Sequence, residues 1–303
     1  MVFYAKFRHS ASAFEVRLKQ RVFSHVSFRC SVKFVFVGKS AEEFYAFVVF
    51  FAVVTEARAW FRSFTARFGR DGLFDKALAY KIGHSGRVAQ YALDIAKSEN
   101  WDSSADRSLC FATGLLHDTG RFPQYEQYGT FKDADSVDHA DLGADVLERE
   151  FDWNGVSSEE KEILLCSVRN HNKLVIADNV PHYALRFVNM IRDADKIDIF
   201  FQVQQRIDNG TVFDMLPRHR VYKGISQELV ECIKSTGRSD YRFVKSLSDY
   251  RLAELAWGLD LNYPYSIRIL KDAKIFDRIV NELKPFGIDG LCSELMNEIN
   301  RRG

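Results

Sequence analysis

The chain has 303 residues, 47% of them hydrophobic, and its 42 basic and 41 acidic side chains leave a net charge of +1. This is a globular composition with enough apolar material for a sizeable core, and near-neutrality excludes a global field that would draw the chain to nucleic acid or anionic lipid. Phosphate recognition would have to come from a local basic pocket.

Residues 1–55 differ from the rest. They hold 11 of the 26 phenylalanines, whereas the first Asp, Ile, Asn and Pro appear only at Asp71, Ile82, Asn100 and Pro123. Two readings of this segment stand. It is a separate β-rich module in which Val32 to Val37 alternates like a strand, or it is an over-extended start, with the chain proper beginning near Val53 or Val54. No function is placed there. The longest apolar run, Phe44 to Val54, has 11 residues, short of the roughly 20 that a membrane helix needs, and it lies too deep in the chain for a secretion signal. The five cysteines are widely spaced and never paired as C-x-x-C, which suggests neither a disulfide framework nor a zinc knuckle. We expect a soluble, cytoplasmic, non-exported protein.

From Thr55 the pattern turns helical. Glu56 to Phe68 places Ala59, Trp60, Phe64 and Phe68 at helical spacing. Five core helices are predicted next, around His84, Phe111, His139, Glu159 to His171 and Tyr183 to Val203, so that 56–203 forms one helical domain. Ser136 is a candidate N-cap for the His139 helix, and Ser157 with Glu160 reads as a capping box for the following one. Each core helix carries a polar group on its greasy face. His84 aligns with Val88, Tyr91 and Ile95, His171 with Leu164 and Val168, and Asp195 with Val188 and Ile191. In Phe111 to Asp118 both His117 and Asp118 point inward. Such side chains cost several kcal/mol to bury unless something pairs with them, so partners are expected among the other segments.

Between Asp118 and His139 lies a polar, aromatic stretch broken by Pro123 and Gly129, read as a loop that overhangs the site. After the Asp195 helix, Asn209-Gly210 and Pro217 break the chain. Ser226 to Ser235, Ser246 to Leu259 and Tyr265 to Leu283 read as further helices ending at Pro285, so 204–303 is taken as a helical companion, a lid or a dimer surface, of a chain that could form a homo-oligomer.

The strings HSGRVAQYA, LLHDTGR, DHADLGADVL, RNHNK and DADKID, in this order over roughly residues 60–200, resemble the HD superfamily of metal-dependent phosphohydrolases. The resemblance implies an all-α fold, an HD-domain helical bundle with a C-terminal helical extension. It also implies two divalent metal ions, iron or manganese. His84, His117, Asp118 and Asp195 would hold one, His139 and His171 the other, with Asp118 bridging and a shared water acidified for attack. Arg121 stands where many HD enzymes have Lys and would clamp a phosphate beside the catalytic Asp118. Lys132 and Lys196 are further candidates for substrate contact, and Asp198 and Asp138 for acceptors that orient ligand His rings.

The expected reaction is hydrolysis of a phosphoester or phosphoanhydride in a small, nucleotide-like substrate, without membrane or general nucleic-acid binding. No Gly-Tyr-Pro follows His171 and no acidic pair follows the His-Asp motif, which disfavours the cyclic-di-GMP and guanosine-tetraphosphate branches. The ligand order is most similar to bacterial HD hydrolases of dinucleoside polyphosphates. The alternatives are an HD-type di-iron oxygenase, similar to myo-inositol oxygenase, and a nucleotide-binding regulatory HD module without catalysis.

Overall fold

A computed structural model describes residues 41–216 and 223–303, with side chains described from residue 53 onward except at Met215. The strand expected over Val32 to Val37 lies outside the described residues. Within them the elements are α1 (Ala41–Ala66), α2 (Lys76–Ser98), α3 (Ser104–Leu116), α4 (Arg121–Tyr128), α5 (His139–Glu150), α6 (Ser158–Asn170) and α7 (His182–Asp208). A one-turn α8 (Val212–Met215) follows, then α9 (Gln227–Thr236), α10 (Leu247–Trp257), α11 (Pro264–Asp272), α12 (Ile275–Leu283) and α13 (Asp289–Arg302), with short 3-10 turns between some of them. The fold is all-α, and no described residue belongs to a β-strand longer than an isolated bridge. No described helix is long and apolar enough to cross a membrane.

Local chemistry accounts for most helix starts. Asp75 and Ser103 accept from backbone N–H groups of the first turns of α2 and α3, and Ser157 and Glu160 form the capping box of α6. A second box, Ser246 with Asp249, opens α10. Four expectations need correction. α1 crosses the boundary drawn at residue 55, because no Gly or Pro interrupts residues 39–68. The cap of α5 is Asp138, while Ser136 Oγ donates to Lys132 O.

The third correction is that residues 121–138 are not one loop. Pro123 sits in the first turn of α4, where its missing N–H costs nothing. Gly129, at φ +64°, ends the helix. Fourth, Tyr265 to Leu283 is two helices divided at Lys274, which has φ +55°. At 100° per residue the apolar sets Ile267/Leu270 and Ile275/Phe276/Ile279/Leu283 would point about 165° apart on one straight helix. The break rephases them onto a common core. α13 was not anticipated at all.

The helices α2, α3, α6 and α7 pack around the first core, with α1 against α3 and α5 against α6. The second core lies among α9 to α13. α7 joins them: Phe187, Met190, Ile191 and Ile197 belong to the first core and Phe200 to the second.

Two glycines set the approach of the helices that carry the candidate site. A Cβ on Gly114 would lie 2.6 Å from Ala89 Cα, so α3 and α2 meet backbone to backbone one turn before His117. A Cβ on Gly120 would lie 2.1 Å from His139 O and 2.6 Å from Gly143 N, so the turn after Asp118 is pressed onto the start of α5. Gly120 has φ −67°, an ordinary helical value. Its role is contact, not conformational freedom.

Candidate metal centre

His84 is presented from the middle of α2, and His117 and Asp118 follow the last residue of α3. His139 opens α5, His171 caps the end of α6, and Asp195 lies mid-way along α7. The structure brings all six together. The four imidazoles and Asp118 are at most 5% exposed, and Asp195, with a side chain 19% exposed, forms the open edge.

The two oxygens of Asp118 face different sets of ligands. Oδ2 lies 3.4 Å from His84 Nε2 and 3.6 Å from His117 Nε2, and these same nitrogens are 3.1 and 3.8 Å from Asp195 Oδ1. Oδ1 lies 3.4 Å from His139 Nε2 and 3.9 Å from His171 Nε2. Donor atoms bound to one transition metal at about 2.0–2.2 Å stand about 3.0–3.6 Å apart. The observed spacing is therefore close to that of a coordination shell on either side of a shared carboxylate.

Ring orientation decides what the Nε2 atoms can do. His117 Nδ1 donates to Gly114 O at 2.8 Å and His171 Nδ1 to Val168 O at 2.7 Å, and a carbonyl can only accept. His84 Nδ1 donates to Asp198 at 2.7 Å and His139 Nδ1 to Asp133 at 2.7 Å. In the neutral ring each of these bonds leaves a lone pair on Nε2 facing inward. His84 Nε2 and His117 Nε2 are buried without a hydrogen-bond partner, and the Nε2 atoms of His139 and His171 confront each other at 3.0 Å. Lone pairs so placed repel unless a cation lies between them, and this donor set of neutral imidazole and carboxylate fits a divalent transition metal.

The electrostatics favour the ligating protonation states. Burial would raise Asp118, but Lys81, His117 and Arg121 outweigh it and hold the carboxyl well below the usual range. Asp195 is lowered in the same way, burial being overcome by the adjacent imidazoles of His84 and His117. Burial pushes His117 down, and burial and the neighbouring His139 push His171 well down. His139 is lowered by burial and Arg121. His84 is the exception: burial and Lys81 lower it, yet Asp195 and Asp198 on opposite sides of the ring outweigh them and raise it. A proton and a metal ion therefore compete for His84 Nε2.

The surrounding residues only partly follow the sequence reading. Asp198 lies behind His84, fully buried, and also accepts from Arg87 at 2.6 and 3.0 Å. Asp138 lies near the His139 ring but is not its hydrogen-bond acceptor. It caps α5 and accepts from Lys173 and Asn172, and the acceptor behind His139 is Asp133. Arg121 Nε lies 3.5 Å from Asp118 Oδ1, but Nη1 is committed to Gln124, Asp133 and Phe131 O. A grip on phosphate through Nη1 is thus not available. Lys132 pairs with Asp135 at 2.8 Å, and Lys196 turns to Asp260 at 2.8 Å.

The sequence reading missed Lys81, whose ammonium is 2.7 Å from Asp118 Oδ2. Its position three residues before His84, on the same helical face, was the available signal. Asp133 offered none, because it sits in a short 3-10 turn without periodicity. Residues 82–201 match the family model described as HD domain. No curated protein and no solved structure gives a significant match.

Proposed function

Since residues 82–201 form an HD domain, the unit of a superfamily of metal-dependent hydrolases, we propose that this chain is a two-metal phosphohydrolase acting on a small phosphorylated substrate of nucleotide type. The observation that carries the reading is the division of Asp118, with Oδ2 facing His84 and His117, whose Nε2 atoms also face Asp195 Oδ1, and with Oδ1 facing His139 and His171. Bound by these six residues, a pair of divalent cations would supply an acidified water and polarise a phosphoryl oxygen. Every other contribution comes from the chain. Neutral imidazoles hold positive charge without cancelling it, and Asp118 fixes both halves of the site to one rigid turn.

Asp195 marks the side on which substrate enters, being the most exposed of the six. Lys81, with Nζ at Asp118 Oδ2, and Arg121, with Nε at Oδ1, are the cations nearest that carboxylate. In this reading they steady the charge that builds on the phosphate oxygens during attack. Four Nδ1–H bonds, three of them buried, keep the rings from turning, so little reorganisation accompanies the reaction.

The test is metal analysis of the purified chain together with phosphate release from a panel of phosphomonoesters, phosphodiesters and nucleoside polyphosphates. We expect two divalent ions per chain, metal-dependent release of phosphate or nucleotide, and loss of both in His117→Ala and Asp118→Ala. Full activity in either variant, or oxygen-dependent turnover without phosphate release, overturns the proposal.

A further inference from the structure

α7 has two working faces. Asp195 and Asp198 fall on the face turned to the metal centre, and Arg192, Lys196 and Asp193 lie along the next stripe round the helix, Arg192 at i−3 from Asp195. That second face is occupied by residues 260–263, the link between α10 and α11. Asp260 Oδ2 accepts from Arg192 Nη2 at 3.0 Å and from Lys196 Nζ at 2.8 Å. Asp193, fully buried, accepts from the backbone N–H groups of Asn262 and Tyr263, each at 2.9 Å, and from Asn262 Nδ2 at 2.8 Å. The three charged side chains bracketing ligand Asp195 in sequence are therefore all engaged by one four-residue segment of the C-terminal unit.

The contact extends further through Arg192, which is 5% exposed. Its Nη1 donates to Asn170 O at 3.1 Å and to Lys173 O. These carbonyls bracket His171 at the end of α6, where they have no partner within the helix and where a cation is favoured by the helix dipole. Asp260 holds Arg192, and Arg192 holds the backbone that aims His171. Because Asp260 also neutralises Lys196, next to Asp195, a single carboxylate outside the metal centre bears on a ligand from each of two helices.

We infer that Asp260 is a positioning residue of the metal centre: through Arg192 it fixes the end of α6, and with it the His139/His171 half of the site. The C-terminal helices then act as a brace of the metal centre and not as a detachable companion. This rests on the two-metal reading above. Removing the charge of Asp260 leaves Arg192 and Lys196 as neighbouring cations without their common counter-charge, and the fork of Arg192 is then free to leave the α6 carbonyls. Residues that orient metal ligands from behind typically change metal affinity by about 10–100-fold. One step further out, a smaller effect follows.

The experiment is titration of the metal-stripped full chain with Mn(II), followed by the electron paramagnetic resonance of the free ion, with His171→Ala used to identify which binding step belongs to that half of the site. Wild type should take up two ions. Asp260→Asn should weaken the His171-dependent step at least fivefold and the other step less than twofold, and Asp260→Glu should regain most of the loss. Ile279→Ala, which opens the second core without touching the brace, should lower the melting temperature at least as much and leave both steps unchanged.

Wild-type behaviour of Asp260→Asn, or an equal loss in Asp260→Asn and Ile279→Ala, overturns the brace while leaving the metal centre intact. Fewer than two ions on the wild type overturns the two-metal reading and the brace with it.

Discussion

Replacing Asp198 by Asn tests whether the rings are held in the metal-binding tautomer. Asp198 is fully buried, 2.7 Å from His84 Nδ1 and 2.6 Å from Arg87 Nε. An ionised carboxylate can only accept, so it compels His84 to carry its proton on Nδ1 and to present a lone pair at Nε2. An Asn amide at the same place can present its NH2 group to Nδ1, which favours the other tautomer, with the proton on Nε2 where the ion would bind.

Loss of such a partner lowers metal affinity by about 10–100-fold, equivalent to about 1.4–2.7 kcal/mol. Asp133→Asn should produce a comparable loss at His139. The assay is competition with a calibrated chelator, with the melting temperature of the metal-free protein as control, because Arg87 also loses its partner. Wild-type affinity in Asp198→Asn, with the introduced amide shown crystallographically to occupy the place of the carboxylate, would falsify the tautomer argument.

Three further outcomes are expected. Gly120→Ala places a methyl carbon against His139 O and Gly143 N, a backbone clash that should cost about 1–3 kcal/mol in denaturant unfolding and weaken metal binding; unchanged stability would show that α4 and α5 are not in contact. Lys81→Met removes the ammonium beside Asp118 Oδ2, so the metal-free protein should melt at lower temperature while affinity for a divalent ion tightens by about tenfold, or about 1.4 kcal/mol; weaker binding would mean that Lys81 supports the ion. Glu254, buried beside Arg251 at 2.6 Å, is pushed by burial up to about 8 from its ordinary 4.5, Arg251 opposing. The folded chain thus keeps a proton that the unfolded chain has released, so the linked stability is full below 4.5 and is lost as pH rises toward 8. Glu254→Gln, which cannot ionise, should gain on wild type by at least ~1 kcal/mol between pH 5.5 and 8.5 in chemical denaturation, and a constant difference would contradict the assignment.

Much of the candidate site was legible because polar groups sit on otherwise apolar helical stripes, and burial of an unpaired imidazole or carboxylate is too costly to be incidental. Periodicity reports which way a side chain faces relative to its own helix. It does not report what the side chain meets. His84 and Asp198 are 114 positions apart, and Asp133 rather than the closer Asp138 reaches the His139 ring. Arg121, read as a phosphate clamp from its place after the His-Asp pair, has its Nη1 taken up by Asp133, Gln124 and a carbonyl that no local pattern brings near.

By itself the sequence determined the helical class, the order of the ligand-bearing segments and the inward aim of His84, His117, Asp118, His139, His171 and Asp195, because these depend on local spacing and on the cost of burying polar groups. Only the tertiary structure decided that Asp118 divides its oxygens between two sets of imidazoles, that Gly120 is required by the backbone of α5, and that Asp260 reaches the end of α6 through Arg192. Those depend on how helices distant in the chain cross, and hydrogen bonds and charge pairs act over a few ångströms whatever the separation in sequence.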